Sequence, residues 1–189
     1  MIDPLQFAAH RLPRGSRVYL RQPMLRDRAE FLARNAASRR LFRGVAAPLT
    51  DPRVFVAYVH RVHKGLTVGL LVCRTEDDAI AGCVNVSQIV RGPFQSAYMG
   101  YQAFEPFANQ RYLSEAMPLV LSVVFRLLKL HRVGANIQPD NLPSIALVKR
   151  AGFRLEGYSP RYLKIAGRWR DHERWAMTAE DYRSVSRSR

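Results

Sequence analysis

The stretch LHRVGANIQPDNLPSIALVKRAGFRLEG, residues 130–157, decides the fold. Its first part, 131–138, is mostly apolar and predicts a buried strand, which a polar turn at Pro139, Asp140 and Asn141 follows. Residues 142–151 have the spacing of a short amphipathic helix, and a Gly-Phe step then leads into another strand. A polar turn between a strand and a helix start is where α/β proteins usually bind ligands. We therefore expect a functional site at this turn.

Patterns on either side extend this unit into a full domain. Strands are predicted at 17–24, 66–74, 79–90 and 94–104, helices at 25–38, 51–65 and 113–129, and a hairpin-like pair of strands around Gly167. Three consecutive strands with short turns predict an antiparallel meander, and the helix crossover that follows adds a parallel neighbour. The order β-α-α-β-β-β-α-β-α-β-β thus predicts an α/β (α+β) fold. Its mixed, mostly antiparallel sheet has about six to seven strands, with helices on both faces.

Length and composition set the broad class of the protein. A chain of 189 residues suits a single domain, here with a core over about 15–180 and a frayed tail over 180–189. The sequence has no uncharged apolar run of about 18 residues and no signal-peptide order near its start, so we expect a cytoplasmic protein without a membrane span. Cys73 and Cys83 lie in strand-like runs, which favours free buried thiols over a disulfide. The five histidines have no metal-ligand spacing, so no metal site is predicted.

The net charge of +15 comes mostly from arginine and is heavier at the two ends of the chain than in the middle. Such an excess predicts attraction to polyanions, including RNA. The alternative explanation is a genome that favours arginine codons, because the charge is not accompanied by an aromatic-rich RNA-binding signature.

A series of short motifs in order resembles the GNAT N-acetyltransferase superfamily, and it is most similar to the RimJ/RimL branch, which modifies N-terminal amines of ribosomal proteins. The motifs are GY at 100–101, SEA at 114–116, LHR at 130–132, P-x-N-x-x-S at 139–144, AGF at 151–153, EG at 156–157 and YLKIAGRWRDH at 162–172. The resemblance covers roughly residues 15–180. It implies a GNAT fold and acetyl-CoA as the co-substrate.

The resemblance assigns the acetyl end of the cofactor groove to the turn described first. Asn141 and Ser144 are implied to contact acetyl-CoA, and Ser144 is a candidate general acid toward the departing thiolate. Both side chains are also able to cap the helix that begins there, and the two roles are compatible. Backbone groups of Met99, Gly100 and Tyr101 are implied to face the acetyl carbonyl. Many relatives outside this branch have a tyrosine at the position of Val148, so that acid is absent.

The phosphate end of the groove is implied at the loop before the long helix, where relatives use an Arg/Gln-x-x-Gly-x-Gly/Ala motif. The corresponding cofactor-binding residues here are Asn109, Gln110, Arg111, Tyr112, Leu113 and Ser114. Pro106, Asn109 and Arg111 replace the three anchors of the motif. Asn109 is able to adopt the left-handed backbone of a glycine. For Arg111 two outcomes are open, since its Cβ could obstruct the phosphates or its guanidinium could bind them.

Candidates for the remaining chemistry are less specific. Glu105 follows the strand at 94–104 and is a candidate general base through a water molecule, although its position favours a solvated loop carboxylate. Tyr101, Tyr158 and Tyr162 are candidates for the acceptor groove or for core packing. His131 is interpreted as structural. The segment 168–172 resembles a family segment near the acceptor, with no role assigned to one residue.

Three functions follow from these observations. The first is acetylation of a protein N-terminus, with a ribosomal protein as candidate, by a monomer or homodimer attracted to ribosomal RNA. The second is acetylation of a small amine such as a polyamine or an aminoglycoside, which the scarcity of acidic residues disfavours. The third is a catalytically weak binding module that has lost its cofactor site.

Overall fold

The computed structural model of the protein describes residues 12–187. Seven strands form one sheet in the order β1-β2-β3-β4-β5-β7-β6. They are β1 (Val18–Arg21), β2 (Val68–Arg74), β3 (Ile80–Val90), β4 (Ser96–Ala103), β5 (Arg132–Ile137), β6 (Arg154–Ile165) and β7 (Arg168–Thr178). Neighbouring strands are antiparallel except β4 and β5, which are parallel. The predicted mixed, mostly antiparallel sheet is confirmed.

Helices cover both faces of this sheet, as the sequence predicted. They are α1 (Arg28–Ala37), α2 (Pro52–His63), α3 (Tyr112–Ser122), α4 (Leu142–Ala151) and α5 (Ala179–Arg187). The first two pack on one face through an aromatic cluster in which the ring of Phe31 lies 5.0 Å from Phe55 and 5.4 Å from Phe104. On the opposite face, α3 and α4 bury Met117, Val120 and Val148 against aliphatic strand residues. The sheet therefore separates two compartments, which we call the α1–α2 face and the α3–α4 face.

A wedge opens between β4 and β5, and it positions the site. The two strands pair only at their starts, where Ser96–Tyr98 lie beside Arg132–Gly134. Farther along, β4 stays paired with β3 as far as Ala103, while β5 pairs with β7 as far as Ile137. The strands thus diverge toward their carboxyl ends, which are the ends where open α/β sheets bind ligands.

Two expectations about the helices are corrected. The tail predicted to fray forms α5 over 179–187, and Tyr182 in it stacks on Phe125 with ring centroids 5.0 Å apart; its last two residues lie outside the described part of the chain. Pro118 lies in the second turn of α3 rather than near the first, because the helix begins at Tyr112. After Ser122 the same helix widens into a π-type turn over Val123–Leu127.

The cysteine prediction is confirmed, since Cys73 and Cys83 are both buried free thiols. Burial raises the pKa of Cys73 to about 11 and that of Cys83 to about 12, so both stay protonated at neutral pH. Within residues 12–187 no helix has the length and apolar character required to cross a membrane.

Candidate active site in the wedge between β4 and β5

A groove of about 940 Å³ occupies the wedge and opens to both faces of the sheet. Met99, Gly100 and Tyr101 line its centre on β4. On the α3–α4 face its walls are Asn109, Arg111, Tyr112, Leu113, Ser114, Asn141, Ser144 and Arg150. On the α1–α2 face they include Tyr58, Arg61, Asn85, Gln102, Asn136, Gln138, His172 and the loop around 41–49. One cavity thus joins the predicted cofactor residues to a second chamber across the sheet.

The centre of the groove presents backbone N–H groups of β4. The Phe104 N–H donates to the Ala81 carbonyl on β3 at 2.9 Å. Because successive residues of a strand direct their peptide groups to opposite sides, Met99 and Tyr101 direct theirs away from β3. The pairing with β5 ends at Tyr98, so these groups face the wedge. A ligand carbonyl between the strands would find a hydrogen-bond donor here.

The loop before α3 has the left-handed backbone conformation that is typical of glycine, although the residues in that conformation are not glycines. Asn109 and Arg111 occupy the two glycine positions of the family motif, and their φ angles of 64° and 66° are both left-handed. Arg111 is the residue before α3, and its side chain makes no capping hydrogen bond. The first intrahelical bond runs from the Glu115 N–H to the Arg111 carbonyl at 3.0 Å. The N–H groups of residues 112–114 are therefore left for a ligand at the positive end of the helix.

Contacts from the N-terminal segment hold this loop in its strained conformation. The guanidinium of Arg17 lies 4.4 Å from the centre of the Tyr112 ring, and it donates to the Gln110 carbonyl at 2.9 Å. Glu115 accepts from the Arg17 N–H at 2.7 Å and from the Ser16 hydroxyl at 3.1 Å. A left-handed non-glycine residue costs roughly 1–2 kcal/mol, which such surrounding contacts must offset.

The turn before α4 forms the other end of the cofactor half. Asn141 is the N-cap, and its side-chain oxygen accepts from the Ser144 N–H at 3.3 Å. Among the described residues the Ser144 hydroxyl has no hydrogen-bond partner, although Ser144 lines the groove. The Tyr101 hydroxyl donates to the Ser144 carbonyl at 3.2 Å, which ties β4 to α4 across the wedge. The capping role of Asn141 is thus present, and Ser144 keeps its hydroxyl available.

Two predicted site residues are placed outside the groove. Glu105 lines a separate surface depression. The other residues that line it are Pro106 and, on α1, Glu30, Ala33, Arg34 and Ala37. Its backbone N–H donates to the Ser38 hydroxyl at 2.8 Å, which directs the chain away from the wedge. Gln110 donates its side-chain amide to the Pro106 carbonyl at 2.9 Å and shapes the loop without lining the cavity.

Sequence reasoning missed Arg150 in the cofactor half. It lies in the last turn of α4 and donates to the Ser114 hydroxyl at 3.1 Å, beside the first turn of α3. This places a guanidinium next to the free N–H groups, which is a suitable arrangement for an anionic group. In sequence Arg150 is indistinguishable from Lys149, and only the crossing of α3 and α4 brings it to the groove.

The chamber on the α1–α2 face is polar but not acidic. The Tyr58 hydroxyl donates to the Asn85 side chain at 2.8 Å, and Gln138 donates to the Gly44 carbonyl at 2.8 Å, which holds the 41–49 loop over the chamber. None of the described residues that line the groove is an aspartate or a glutamate. Three arginines line it, Arg61, Arg111 and Arg150. Of the described residues, no group of three or more His, Cys, Asp or Glu is arranged to hold a metal ion.

The tyrosine candidates have different surroundings. Tyr101 is in the groove, as described. Tyr162 hydrogen-bonds Tyr98, which raises the pKa of Tyr162, and lies 6.0 Å from the His172 ring. Tyr158 is exposed and donates to Asp171 at 2.5 Å on the outer edge of the sheet, so it does not line the groove.

Over residues 17–154 the sequence matches the family described as Acetyltransferase (GNAT) domain. The chain belongs to this family. This acetyltransferase is 30% identical over 176 residues to the probable N-acetyltransferase YjcK of Bacillus subtilis, across 89% of this chain and 97% of that protein. It is 36% identical over 107 residues to the ribosomal protein uS5-alanine N-acetyltransferase of Escherichia coli, across 57% of this chain and 55% of that enzyme.

Solved structures have the same fold as this acetyltransferase. Mycobacterium smegmatis RimJ, in complex with CoA-disulfide, has a TM-score of 0.78 at 26% identity and covers 91% of this chain and 90% of its own. The spermidine N-acetyltransferase of Vibrio cholerae, in complex with CoA and spermine, has a TM-score of 0.77 at 19% identity and covers 89% and 99%. The second likeness shows the fold alone. The protein is therefore an N-acetyltransferase with the GNAT fold.

Proposed function

We propose that this enzyme transfers the acetyl group of acetyl-CoA to the N-terminal amine of a protein, with a ribosomal protein as the candidate acceptor. The observation that carries the proposal is the chemistry of the acceptor chamber on the α1–α2 face. Side-chain amides of Asn85, Gln102 and Asn136 line it, and its described lining has no carboxylate. Amides suit the alternating donors and acceptors of a peptide backbone. A polyamine needs anionic partners for its several charges, which this lining does not supply.

The cofactor half suits acetyl-CoA at both of its ends. The N–H groups of Tyr112, Leu113 and Ser114 are donors for the pyrophosphate, with the guanidinium groups of Arg111 and Arg150 nearby. The thioester belongs beside Ser144, where the wedge exposes the peptide groups of β4. Asn141 serves as the helix cap in this proposal, while Ser144 keeps the general-acid role.

The reaction assigns each of these groups a task. The acceptor nitrogen attacks the thioester carbon, and the carbonyl oxygen gains negative charge that the Tyr101 N–H is placed to stabilise. The carbon–sulfur bond then breaks, and the leaving thiolate takes a proton, for which the Ser144 hydroxyl is the nearest candidate donor in the groove. The amine must also lose a proton, and Glu105 is too remote from the groove to be included.

The basic surface gives the proposed acceptor a second means of attraction. With 30 Lys and Arg against 15 Asp and Glu, the enzyme should approach ribosomal RNA favourably at low salt. The relative that acetylates ribosomal protein uS5 supports this choice of acceptor. In this proposal the enzyme acts in the cytoplasm, as the sequence predicted, and is a monomer or homodimer.

Calorimetry with acetyl-CoA, followed by a peptide array, tests the proposal. We expect binding at micromolar acetyl-CoA, and acetylation of peptides with a free N-terminal alanine or serine. The matched control is the same peptides with a blocked N-terminus and an internal lysine, which should stay unmodified. Spermidine is assayed in parallel. Absence of binding at high micromolar acetyl-CoA, or acetylation of spermidine but of no N-terminal peptide, would overturn the proposal.

A further inference from the structure

The described lining of the groove includes one imidazole, a side chain that commonly serves as a general base. N-acetyl transfer starts from a protonated amine, so a base beside the acceptor accelerates it. Carboxylates are absent from the described lining. Arg61, Arg111 and Arg150 keep their protons at all working pH values. The imidazole among the lining residues that the structure describes belongs to His172.

The other titratable lining residues do not serve as bases. Burial raises the pKa of Tyr101 to about 12 and that of Cys83 to about 12. Burial also raises the pKa of Tyr58 well above its ordinary value, and its hydroxyl is already engaged as a donor to Asn85. All three groups therefore keep their protons at neutral pH and lack a basic lone pair.

His172 lies on β7 at the carboxyl end of β5. The last β5–β7 pair joins Ile137 to Glu173, so His172 is the next residue beyond it, beside the turn that leads to α4. Trp175 and Met177 of the same strand are buried on the α3–α4 face. Strand alternation then directs His172 to the α1–α2 face, which is the acceptor chamber. His172 is buried, with 2% of its surface accessible to solvent.

The hydrogen bonds of the ring determine which nitrogen carries the proton. The Nδ1 atom lies 3.0 Å from the Arg170 carbonyl oxygen. A carbonyl only accepts, so Nδ1 must be the protonated nitrogen that donates. In the neutral ring the lone pair is then on Nε2. Among residues 12–187, no protein atom makes a hydrogen bond to Nε2.

We propose that His172 is the general base of the acetyl transfer, an assignment that depends on the proposed reaction in this groove. The Nε2 lone pair takes a proton from the acceptor ammonium, and the freed nitrogen lone pair forms the bond to the acetyl carbon. The attacking nitrogen then still carries one surplus proton. As the carbon–sulfur bond breaks, its electron pair stays on sulfur, and this second proton passes through the Ser144 hydroxyl or a water molecule to the thiolate, so Ser144 regains the proton that it donates. His172 leaves the step as imidazolium and releases its proton to solvent.

Several charged groups lie on the same face as the ring. Arg61 of α2 lines the chamber, and strand alternation directs Arg170 and Arg174 of β7 to this face. From β6, the Tyr162 ring lies 6.0 Å away, and β5 contributes the neutral side chains Gln138 and Asn136. On β7 itself, the Asp171 carboxylate is close enough to interact electrostatically with His172, and it is held by Tyr158 and the Arg161 N–H.

The decisive variant is His172→Asn, because the asparagine amide replaces Nδ1 as a donor to the Arg170 carbonyl but has no basic nitrogen. We expect kcat to fall by about 10²- to 10⁴-fold at pH 7, while acetyl-CoA affinity by calorimetry stays within twofold. The acidic limb of the kcat profile should move up to about pH 7.7–8.0, where the acceptor α-amine loses its own proton. His60→Asn, on the exposed side of α2, is the matched control and should match the wild type.

A second measurement does not depend on turnover. Nitrogen-15 NMR of the histidine rings, assigned by comparison with His172→Asn, should show His172 as the Nδ1–H tautomer at pH 8. The Nε2–H tautomer, or a His172→Asn enzyme with kcat within threefold and an unchanged pH profile, would overturn the assignment. The assays use whichever amine the wild type acetylates. A wild-type enzyme that acetylates neither peptides nor spermidine refutes the proposed function itself, and this assignment with it.

Discussion

The hydroxyl of Tyr101 donates a hydrogen bond of 3.2 Å to the backbone carbonyl of Ser144. This bond spans the wedge and joins the strand that presents N–H groups to the helix that presents the Ser144 hydroxyl. Burial raises the pKa of Tyr101 to about 12, so the donor keeps its proton throughout the physiological range. The hydrogen bond thus links β4 to α4 across the wedge, where we propose that the thioester binds.

Tyr101→Phe removes this hydrogen bond and should allow α4 to move relative to β4. A typical hydrogen bond contributes about 0.5–1.5 kcal/mol net, and we expect acetyl-CoA to bind about 3- to 10-fold more weakly because α4 is less well positioned. Calorimetry measures this effect. Tyr19→Phe is the control, because its hydroxyl bonds the exposed Asp78 outside the groove and its loss should leave the affinity unchanged. Equal acetyl-CoA affinities for Tyr101→Phe and the wild type would contradict the role of this hydrogen bond in positioning α4.

Arg111 combines a strained backbone with a charged side chain, and two substitutions separate these effects. Arg111→Gly relieves the left-handed strain at φ 66°, so it should raise the free energy of unfolding by about 1 kcal/mol over Arg111→Ala. Both variants lose the guanidinium, and we expect both to bind acetyl-CoA about fivefold more weakly. Denaturation and calorimetry give the two quantities. Tighter binding by Arg111→Gly would show instead that the side chain obstructs the phosphates.

Arg150→Gln tests the guanidinium beside the Ser114 hydroxyl. We expect a fivefold or greater loss of acetyl-CoA affinity, together with a weaker dependence of that affinity on salt, because one cation near the phosphates is gone. Lys149→Gln changes the net charge equally, but Lys149 lies over the Trp175 ring at 5.4 Å outside the groove. If Arg150→Gln and Lys149→Gln lose the same amount of acetyl-CoA affinity, the loss comes from the lower net charge and not from the position of Arg150.

Glu156 gives a pH dependence of stability with a definite sign. The hydrogen bond from Arg132 Nη1, 2.7 Å long, lowers the pKa of Glu156. A lowered folded-state pKa means that this contribution is present above the unfolded value of about 4.3 and is lost as the pH falls through the folded value. Glu156→Gln should therefore cost under about 1 kcal/mol at pH 7 and almost nothing below pH 3, because the pair is partly solvated. Calorimetric melting of the wild type and Glu156→Gln at pH 7, 5 and 3 measures the difference in stability. A difference that is the same at all three pH values would contradict this prediction.

Much of the fold was predictable because its signals are local. The meander, the crossover strand, the Asn141 turn and the hairpin around Gly167 each depend on periodicity and turn residues within a short window. The exceptions depend on distant contacts. The tail is polar, yet it forms a helix, in which Tyr182 packs on the distant Phe125, and Thr178 and Asp181 cap its start with reciprocal hydrogen bonds.

The site divides in the same way. The family resemblance implied that Met99, Tyr101, Asn141 and Ser144 belong to one site, and all four line the groove. Glu105 was predicted as a site residue from its position after β4. The chain turns toward Ser38 at this point, and the number of residues that separate Glu105 from β4 does not predict that turn. His172 was named only as part of a segment. Its direction follows from strand alternation, while its place at the groove follows from β7 pairing with β5.

The sequence by itself determined the order of the elements, the polar turn before α4 and the resemblance to acetyltransferases, since these depend on residue types and short spacings. Only the tertiary structure decided the backbone of the loop before α3 and which side chains line the two sides of the groove. Asn109 and Arg111 lack the glycine signature, but packing by Arg17 and Tyr112 holds them in the left-handed backbone that glycines would adopt. The described lining of the chamber, which has an imidazole and no carboxylate, comes from elements far apart in the chain. Side-chain direction and long-range pairing are properties of the folded sheet, and no short window of residues contains them.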